Sequence, residues 1–201
     1  TSYNDHKRGA SRSLQYYPEG DDFVCVNGKN RYTRALYGSW SPFRLETSDR
    51  PVFATYDKRN SKNIRFRISM PGYSAMLDSV GYCEARYTPG RRSYHLTDPA
   101  WGKGELRISA LALPDVDGAI WKLEPVGFSS QSVLTAVMSE IKAHRLNRNG
   151  DMGADPADSF EAPENPQQVE TCDIRLKNGV AYLVFRDFSI KMLGKKEGSR
   201  L

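Results

Sequence analysis

The sequence has only three cysteines and lacks the short motifs by which many enzymes and metal proteins are recognised. Cys25, Cys83 and Cys172 lie far apart, and no CxxC or CxxCH spacing occurs, which excludes zinc-ribbon, thioredoxin-like and c-type haem sites. A nucleophile elbow, a P-loop and a GxGxxG motif are also absent from the sequence. The residues therefore contain no legible catalytic site, and a function has to be argued from other features.

The odd number of cysteines leaves at least one free thiol in the monomer. Each cysteine falls in a segment that is typical of a strand, and buried single cysteines behave as small hydrophobic residues. We expect buried, free thiols, although one disulfide is compatible with the sequence.

Long hydrophobic runs are missing as well. No stretch reaches the roughly 18 apolar residues of a membrane-spanning helix, and the polar opening TSYNDHKRGASRS has no signal-peptide core. Because the sequence does not begin with methionine, we expect a processed or trimmed chain. Residues 1–15 should be disordered or extended, and residues 16–201 should form one domain excised from a longer protein.

The net charge of +5 is concentrated in the first half of the 201-residue chain. Residues 1–100 carry 16 Lys and Arg against 10 Asp and Glu, and the remaining residues carry 13 against 14. A basic half could attract nucleic acid or an acidic polysaccharide. We favour the alternative that outward arginines keep a β protein soluble and protect its sheet edges.

Apolar and polar residues alternate with a period of two through most of the chain. In residues 64–68, for example, three apolar side chains would point inward and two arginines outward. Asn27-Gly28 and Asn178-Gly179 follow such segments and predict two tight hairpins, because both central residues of a type I′ turn need positive φ. The pattern predicts an all-β, antiparallel β-sandwich with little helix.

Residues 132–144 are ambiguous between a helix and a strand. Apolar residues fall at helical spacing after Ser132, which could cap a helix. The same residues also alternate as in a strand, and β-branched residues recur among them, so we favour a strand.

Residues 147–168 form a long irregular stretch rich in Asn, Gly, Asp and Pro, which we expect to be an ordered functional loop. Four of its residues have the spacing of a calcium loop: Asn147, Asn149, Asp151 and Asp158. Met152 occupies the position where such loops need glycine, and two of the four ligands would be neutral. Calcium is therefore a weak alternative, and no other cofactor is expected.

The same stretch has four carboxylates that could supply the acid and base of a glycoside hydrolase: Asp151, Asp155, Asp158 and Glu161. Any Asp-rich loop offers such pairs, so catalysis within this chain is an alternative and not the leading hypothesis.

The tryptophans suggest a binding surface. Trp121 alternates with apolar neighbours and is expected in the core, whereas Trp40 and Trp101 lie in loop-like segments where a ring could stack on a sugar. The opposing interpretation is that a loop tryptophan folds back over the core. The candidate glycan-binding residues are Asn30, Arg31, Arg34, Tyr37, Trp40 and Trp101.

Arginines in this basic half could hold carboxylates bidentately, so acidic, pectin-like glycans would suit it. Asp49 and Arg50, beside Pro51, are interpreted instead as a structural ion pair.

Several motifs of the chain resemble one known family. NGKNRYTRALYG, FRLETSDRPVFATY and NIRF are similar to the start of a Bacteroidetes family, domain of unknown function 4450, and GAIWKLEPVGF and RNGDMGADPADSFEAPEN are similar to its later part. The resemblance covers roughly residues 16–185. It implies a supersandwich-like β domain, with a strand at residues 132–143, at the N-terminus of large exported proteins that look like polysaccharide-degrading enzymes. The family has no agreed catalytic residues, so none is carried over.

Together these features predict a non-catalytic module of a periplasmic, cell-surface or secreted carbohydrate-active protein. Its expected partners are the downstream helical-barrel catalytic domain of the same polypeptide and a plant polysaccharide, acidic ones included. A self-contained glycoside hydrolase is the alternative. A basic nucleic-acid-binding module ranks lowest, because no RRM, OB-fold or helix-turn-helix signature occurs.

Overall fold

The computed structural model of the chain describes residues 15–38, 40–41, 43–56, 62–140, 169–175, 181–186 and 189–193, with side chains up to residue 137 except at 56. Two short 3₁₀ turns, Leu77–Ser79 and Pro99–Trp101, are the helical structure in this part of the chain. Its fifteen strands are β1 (Tyr17–Glu19), β2 (Asp22–Val26), β3 (Tyr32–Leu36), β4 (Arg44–Ser48), β5 (Val52–Tyr56), β6 (Lys62–Met70), β7 (Tyr73–Met76), β8 (Tyr82–Thr88), β9 (Arg91–Thr97), β10 (Glu105–Ala112), β11 (Gly118–Val126), β12 (Val133–Glu140), β13 (Val169–Arg175), β14 (Ala181–Arg186) and β15 (Ser189–Leu193).

The strands form two antiparallel sheets. The eight-stranded sheet has the order β1-β2-β8-β9-β10-β11-β14-β15. The seven-stranded sheet has the order β13-β12-β6-β5-β4-β3, with β7 paired to the far part of β6. This architecture confirms the predicted all-β sandwich.

The core lies between the two sheets and is built by the alternation seen in the sequence. On β6, Ile64, Phe66 and Ile68 are buried while Arg65 and Arg67 point away from the core. Removing such apolar side chains from water is the main favourable contribution to folding, about 25 cal/mol per Å². The inward face of each strand therefore fixes which sheet surface is the outer one.

Aromatic rings from the two sheets interdigitate at the centre of the core. Phe53 of β5 contacts Tyr94 of β9 and Trp121 of β11 edge-on, with ring centroids 5.7 Å and 5.5 Å apart. Phe66 of β6 approaches Trp121 at 6.5 Å. Edge-to-face geometry is the arrangement that ring quadrupoles favour. Trp121 is thus a core residue, as predicted.

The hairpin predicted at Asn27-Gly28 is wrong. Strand β2 belongs to the eight-stranded sheet and β3 to the seven-stranded one, so residues 27–31 pass from one sheet to the other. Asn27 has the positive φ of 49° that the turn chemistry predicted. Its backbone N–H donates to the Cys83 carbonyl oxygen at 2.8 Å and its Oδ1 accepts from the Cys83 N–H at 2.9 Å. Asn27 therefore extends the pairing of β2 with β8 instead of reversing the chain.

Asn178 and Gly179, where the second hairpin was predicted, lie outside the described residues, but the strands on either side of them are described. Strand β13 pairs with β12 in the seven-stranded sheet, whereas β14 pairs with β11 and β15 in the eight-stranded sheet. The two strands that flank this pair of residues are therefore not partners.

The ambiguous segment after Ser132 is a strand. Strand β12 lies between β6 and β13, with Leu134 and Ala136 buried in the core. Because β12 has a neighbour on each side, its extended backbone forms hydrogen bonds with two strands. This pairing explains why the segment is a strand and not a helix. Its end at Glu140 falls short of the expected residue 143 because the following residues lie outside the described part of the chain.

Cys25 and Cys83 are buried free thiols, as predicted, and the side chain of Cys172 is outside the described set. Burial raises the pKa of the Cys83 thiol to about 12 and also raises the pKa of Cys25. Within the described residues, no helix is long and apolar enough to cross a membrane.

Candidate functional site

Asn30 and Arg31, two of the predicted glycan-binding residues, stabilise the crossover before β3. The Asn30 side chain accepts a 2.8 Å hydrogen bond from the Ser48 hydroxyl, and the Arg31 backbone N–H donates to Asp49 Oδ1 at 2.8 Å. Asn30 also has a positive φ of 56°, a conformation that asparagine tolerates better than most residues. The contacts of Asn30 are structural in character.

Arg34 lies in the middle of β3 and its guanidinium group is held by aromatic rings. Its Cζ atom lies 5.4 Å from the ring centroid of Tyr16 and 5.2 Å from that of Tyr87. Nη1 donates to the Thr33 carbonyl oxygen at 2.7 Å. Cation–π contacts of this kind contribute about 0.5–2 kcal/mol. Arg34 therefore bridges elements of the fold.

Tyr37 and Trp40 follow the other end of β3, and both are exposed: Tyr37 by 64%, Trp40 completely. Since a strand rises about 3.3 Å per residue, Tyr37 lies on the order of 20 Å from Asn30 along the chain. Asn30 and Tyr37 therefore stand beyond opposite ends of β3.

Trp101 does not offer a ring to a glycan. It is only 6% exposed, and its ring packs against Phe128 at a centroid distance of 5.3 Å. The short 3₁₀ turn Pro99–Trp101, capped by the Asp98 side chain, directs the indole onto the core. The large apolar area of tryptophan makes this covering position favourable, so the prediction of a stacking surface at Trp101 is wrong.

The ion pair predicted between Asp49 and Arg50 is also wrong. Arg50 donates to three backbone carbonyl oxygens instead, those of Gly28, Asp78 and Val80, at 2.8–3.3 Å. Asp49 is fully buried, and its Oδ1 accepts the hydrogen bond from the Arg31 N–H. Both residues tie the crossover to the rest of the domain, but through the backbone and not through each other.

The acidic loop and the calcium-like spacing lie outside the described residues, so Asp151, Asp155, Asp158, Glu161, Asn147 and Asn149 stay predictions. In the part of the chain with described side chains, no three His, Cys, Asp or Glu residues are grouped closely enough to hold a metal ion.

A polar depression of about 350 Å³ opens on the outer face of the eight-stranded sheet. We call it the outer-face depression. Its side-chain lining comes from β2 and β8–β11, and consists mainly of charged and hydroxyl groups: Asp22, Glu84, Arg86, Arg91, Ser93, His95, Arg107, Ser109 and Glu124. The inward-pointing Tyr94 and Ile108 also border it.

The strand register explains why a hollow forms here. Ser93 of β9 lies directly opposite Ser109 of β10, flanked by Arg86 on β8 and Lys122 on β11. Two short side chains thus sit between two long ones. Because neighbouring strands lie about 4.8 Å apart, the two long side chains start roughly 14 Å from each other, with a floor of serine hydroxyls between them.

The next row across the sheet is wholly ionisable. His95 lies opposite Glu84 on one side and Arg107 on the other, and Arg107 lies opposite Glu124. His95 Nε2 is 2.9 Å from Oε2 of Glu105, and Lys122 Nζ is 2.7 Å from Oε1 of Glu124. The carboxylates of Glu84, Glu105 and Glu124 therefore each have a basic side chain within hydrogen-bond distance.

Arg86 lies among three carboxylates at the β2 side of the depression. Its guanidinium lies 2.6 Å from Glu84, 2.9 Å from Glu19 and 3.5 Å from Asp22. The hydrogen bond from Arg86 lowers the pKa of the Glu84 carboxyl, and the hydrogen bond from the Thr88 hydroxyl, helped by Arg86, lowers that of Asp22. Both carboxyl groups are consequently ionised at neutral pH.

The outer-face depression can bind a ligand through hydrogen bonds. Serine hydroxyls donate and accept, carboxylates accept and guanidinium groups donate, so the lining presents both hydrogen-bond donors and hydrogen-bond acceptors. The pocket size lies in the range of about 300–1,000 Å³ that is typical of small-ligand sites.

Residues 60–188 of the chain match the family model described as Domain of unknown function (DUF4450). The chain belongs to this family. The match contains β8–β11 of the outer-face depression but not Asp22, which lies on β2. No curated protein matches the chain.

Sequence reasoning missed the outer-face depression, although part of its signal is local. Arg91, Ser93 and His95 alternate on one strand, and Arg107 and Ser109 on another, with small residues between long ones. Only the register places the two serines side by side, and register depends on which strands pair.

Proposed function

We propose that this domain is a non-catalytic module of an exported carbohydrate-active protein, in which it supports a glycosidase-like domain downstream and binds glycan in the outer-face depression. The observation that carries the binding role is the pair of facing serines, Ser93 and Ser109, in a hollow of about 350 Å³ rimmed by hydrogen-bonding side chains. Sugar hydroxyls are donors and acceptors at once, and such a lining satisfies both functions.

The ionised state of Glu84 and Asp22 fits a binding role for these two groups better than acid catalysis by them. Glycoside hydrolysis by two carboxyl groups needs one that keeps its proton near neutral pH, through a raised pKa. Hydrogen bonds lower the pKa values of Glu84 and Asp22, which is the opposite of that requirement. The carboxylates of the depression are suited to accept hydrogen bonds from a bound sugar.

The cellular setting of the proposal comes from the family resemblance. Membership of the family is compatible with an N-terminal β domain of a large Bacteroidetes protein that acts on polysaccharides in the periplasm, at the cell surface or outside the cell. In that setting weak glycan binding would keep the downstream domain close to its substrate, as effective concentration rises when two sites share one chain.

The test is affinity electrophoresis through gels that contain neutral or acidic plant polysaccharides. The wild-type domain is compared with Ser109→Tyr, which fills the depression, and with Ser69→Tyr, which adds the same ring to an outward position on β6 of the other sheet. We expect retardation by at least one glycan, lost in Ser109→Tyr and kept in Ser69→Tyr.

Two further variants separate the competing interpretations. If retardation disappears only in Trp40→Ala, glycan binds beside β3 and the outer-face depression is not the site. Free migration in every gel would refute glycan binding. Sugar release by the wild type that is abolished in a double Asp151→Asn and Asp155→Asn variant would make the chain a hydrolase and refute the non-catalytic role.

A further inference from the structure

The charge around the outer-face depression differs in sign from the charge of the whole chain. The chain has a net charge of +5, but the described lining has three carboxylates against three guanidinium groups. Side chains that contact this lining add Glu19, Glu105 and Lys122. The described groups thus have five carboxylates and four permanent cations: Glu19, Asp22, Glu84, Glu105 and Glu124 against Arg86, Arg91, Arg107 and Lys122.

Three cations of this set contact a carboxylate of the protein, and Arg91 is linked to one through a hydroxyl group. Arg86 contacts three carboxylates and Lys122 contacts Glu124. Arg107 lies 3.9 Å from Glu105. Arg91 donates to the Thr88 hydroxyl at 3.1 Å, and that hydroxyl in turn donates to Asp22. A ligand carboxylate that approached any of these cations would also approach a fixed negative charge.

We infer that the outer-face depression selects neutral, hydroxyl-rich glycans and discriminates against sugars that have a carboxylate. This inference rests on the proposed function and deepens it by naming the ligand class. A sugar hydroxyl can use the serines and the remaining lone pairs of Glu84 and Glu124, whereas a carboxylate has no proton to donate to them. Like charges placed together in a binding site are a recognised source of specificity.

The inference reverses the expectation of acidic glycans. That expectation rested on the arginines of the basic half, and Arg34 among them holds its guanidinium against Tyr16 and Tyr87. The net charge of a segment therefore does not predict the charge at the depression, because strand pairing decides which charged side chains lie next to each other.

The experiment compares glycans that differ only in the carboxyl group. Affinity electrophoresis is run with hydroxyethyl cellulose, galactomannan and galactan, each beside a derivative in which the primary hydroxyl is oxidised to a carboxylate. Polygalacturonate and its fully methyl-esterified form make a fourth pair. We expect the uncharged member of a pair to bind about tenfold or more tightly than the charged member, with little change as ionic strength is raised.

Charge variants test the cause. Glu84→Gln and Glu124→Gln remove one negative charge each from the lining. Each variant should reduce the difference in affinity between the uncharged and the charged glycan of a pair. Glu46→Gln removes a carboxylate that pairs with Arg44 on the other sheet and should leave the difference unchanged. Circular dichroism melting curves check that each variant is folded.

The outcomes separate this inference from the proposed function. Equal or tighter binding of the carboxylate member would overturn the neutral selectivity and leave glycan binding standing. An unchanged difference in Glu84→Gln and Glu124→Gln would show that the lining charges do not cause the selectivity. If no member of any pair is retarded, both the inference and glycan binding are wrong.

Discussion

Arg92 of the eight-stranded sheet donates a 2.9 Å hydrogen bond from Nη2 to the backbone carbonyl oxygen of Ser48 in the seven-stranded sheet. The Tyr94 hydroxyl donates to the same oxygen at 2.7 Å, and Arg92 Nη2 also contacts the Tyr16 hydroxyl at 2.6 Å. Arg92 is fully buried. A charged side chain thus crosses the apolar layer and links the two sheets at the backbone.

Replacing Arg92 by alanine should destabilise the domain strongly. The change leaves a cavity and removes a donor from buried oxygens, and these effects together cost about 3 kcal/mol or more. Urea denaturation measures the loss. Arg67→Ala, at an exposed position on β6, serves as the control and should change the free energy of unfolding by less than about 0.5 kcal/mol. Similar losses in both variants would contradict a linking role for Arg92.

Replacing Gly28 by alanine should also destabilise the domain, for a steric reason. A Cβ atom at this position would lie 2.6 Å from Oδ2 of Asp49, whose other oxygen is held by the Arg31 N–H. We expect a cost of about 1–3 kcal/mol, as for other overpacked sites. At Gly81 the nearest atom is 3.4 Å away, so Gly81→Ala should be nearly neutral in the same thermal melts. If Gly28→Ala does not change the stability, the residues of the crossover can move apart at little cost and the steric argument is wrong.

Stability should fall as the pH rises above 9. Burial raises the pKa of Cys83 from 9.0 to about 12, so between these values the unfolded thiol loses its proton while the folded thiol keeps it. The unfolded state is then favoured by up to about 1.4 kcal/mol per pH unit for this group. Denaturation series at pH 8–10 should show a flatter decline in Cys83→Ala than in the wild type. Parallel declines would exclude Cys83 as the cause.

The three tryptophans should respond differently to quenching by iodide. Trp40 is fully exposed, whereas Trp101 and Trp121 are buried, so one accessible indole should account for most of the quenching. Trp40→Phe should lose that component and shift the remaining emission to shorter wavelength, with an unchanged melting temperature. Trp101→Phe should keep the quenching and melt at lower temperature because its packing against Phe128 is reduced. If the quenching is unchanged in Trp40→Phe, Trp40 is not the accessible tryptophan and its exposed position is contradicted.

The sequence predicted correctly those features that depend on a single strand, such as which of its side chains are buried. The alternation at Ile64, Phe66 and Ile68 predicted the inward face of β6 because the period of a strand is a property of the strand itself. The positive φ of Asn27 was predicted for a similar reason, but Gly28 does not have the positive φ that the same turn required.

Prediction failed where the outcome depends on a partner that is distant in sequence. The turn chemistry of Asn27-Gly28 does not say which sheet receives the next strand. The covering of Trp101 depends on Phe128, which is far along the chain. The outer-face depression depends on Ser93 meeting Ser109 in register. In each case the missing information is the pairing, and residue types alone do not supply it.

The two sheets are interleaved along the chain, with crossovers after β2, β7, β11 and β13. The eight-stranded sheet includes both β1 and β15, so during synthesis it stays incomplete until the last of the fifteen strands has emerged. Such long-range pairing slows folding, and open edges are exposed in the meantime. The domain should therefore close late and as a single cooperative unit, and a cut at any of the four crossovers would leave the eight-stranded sheet unfinished in every fragment.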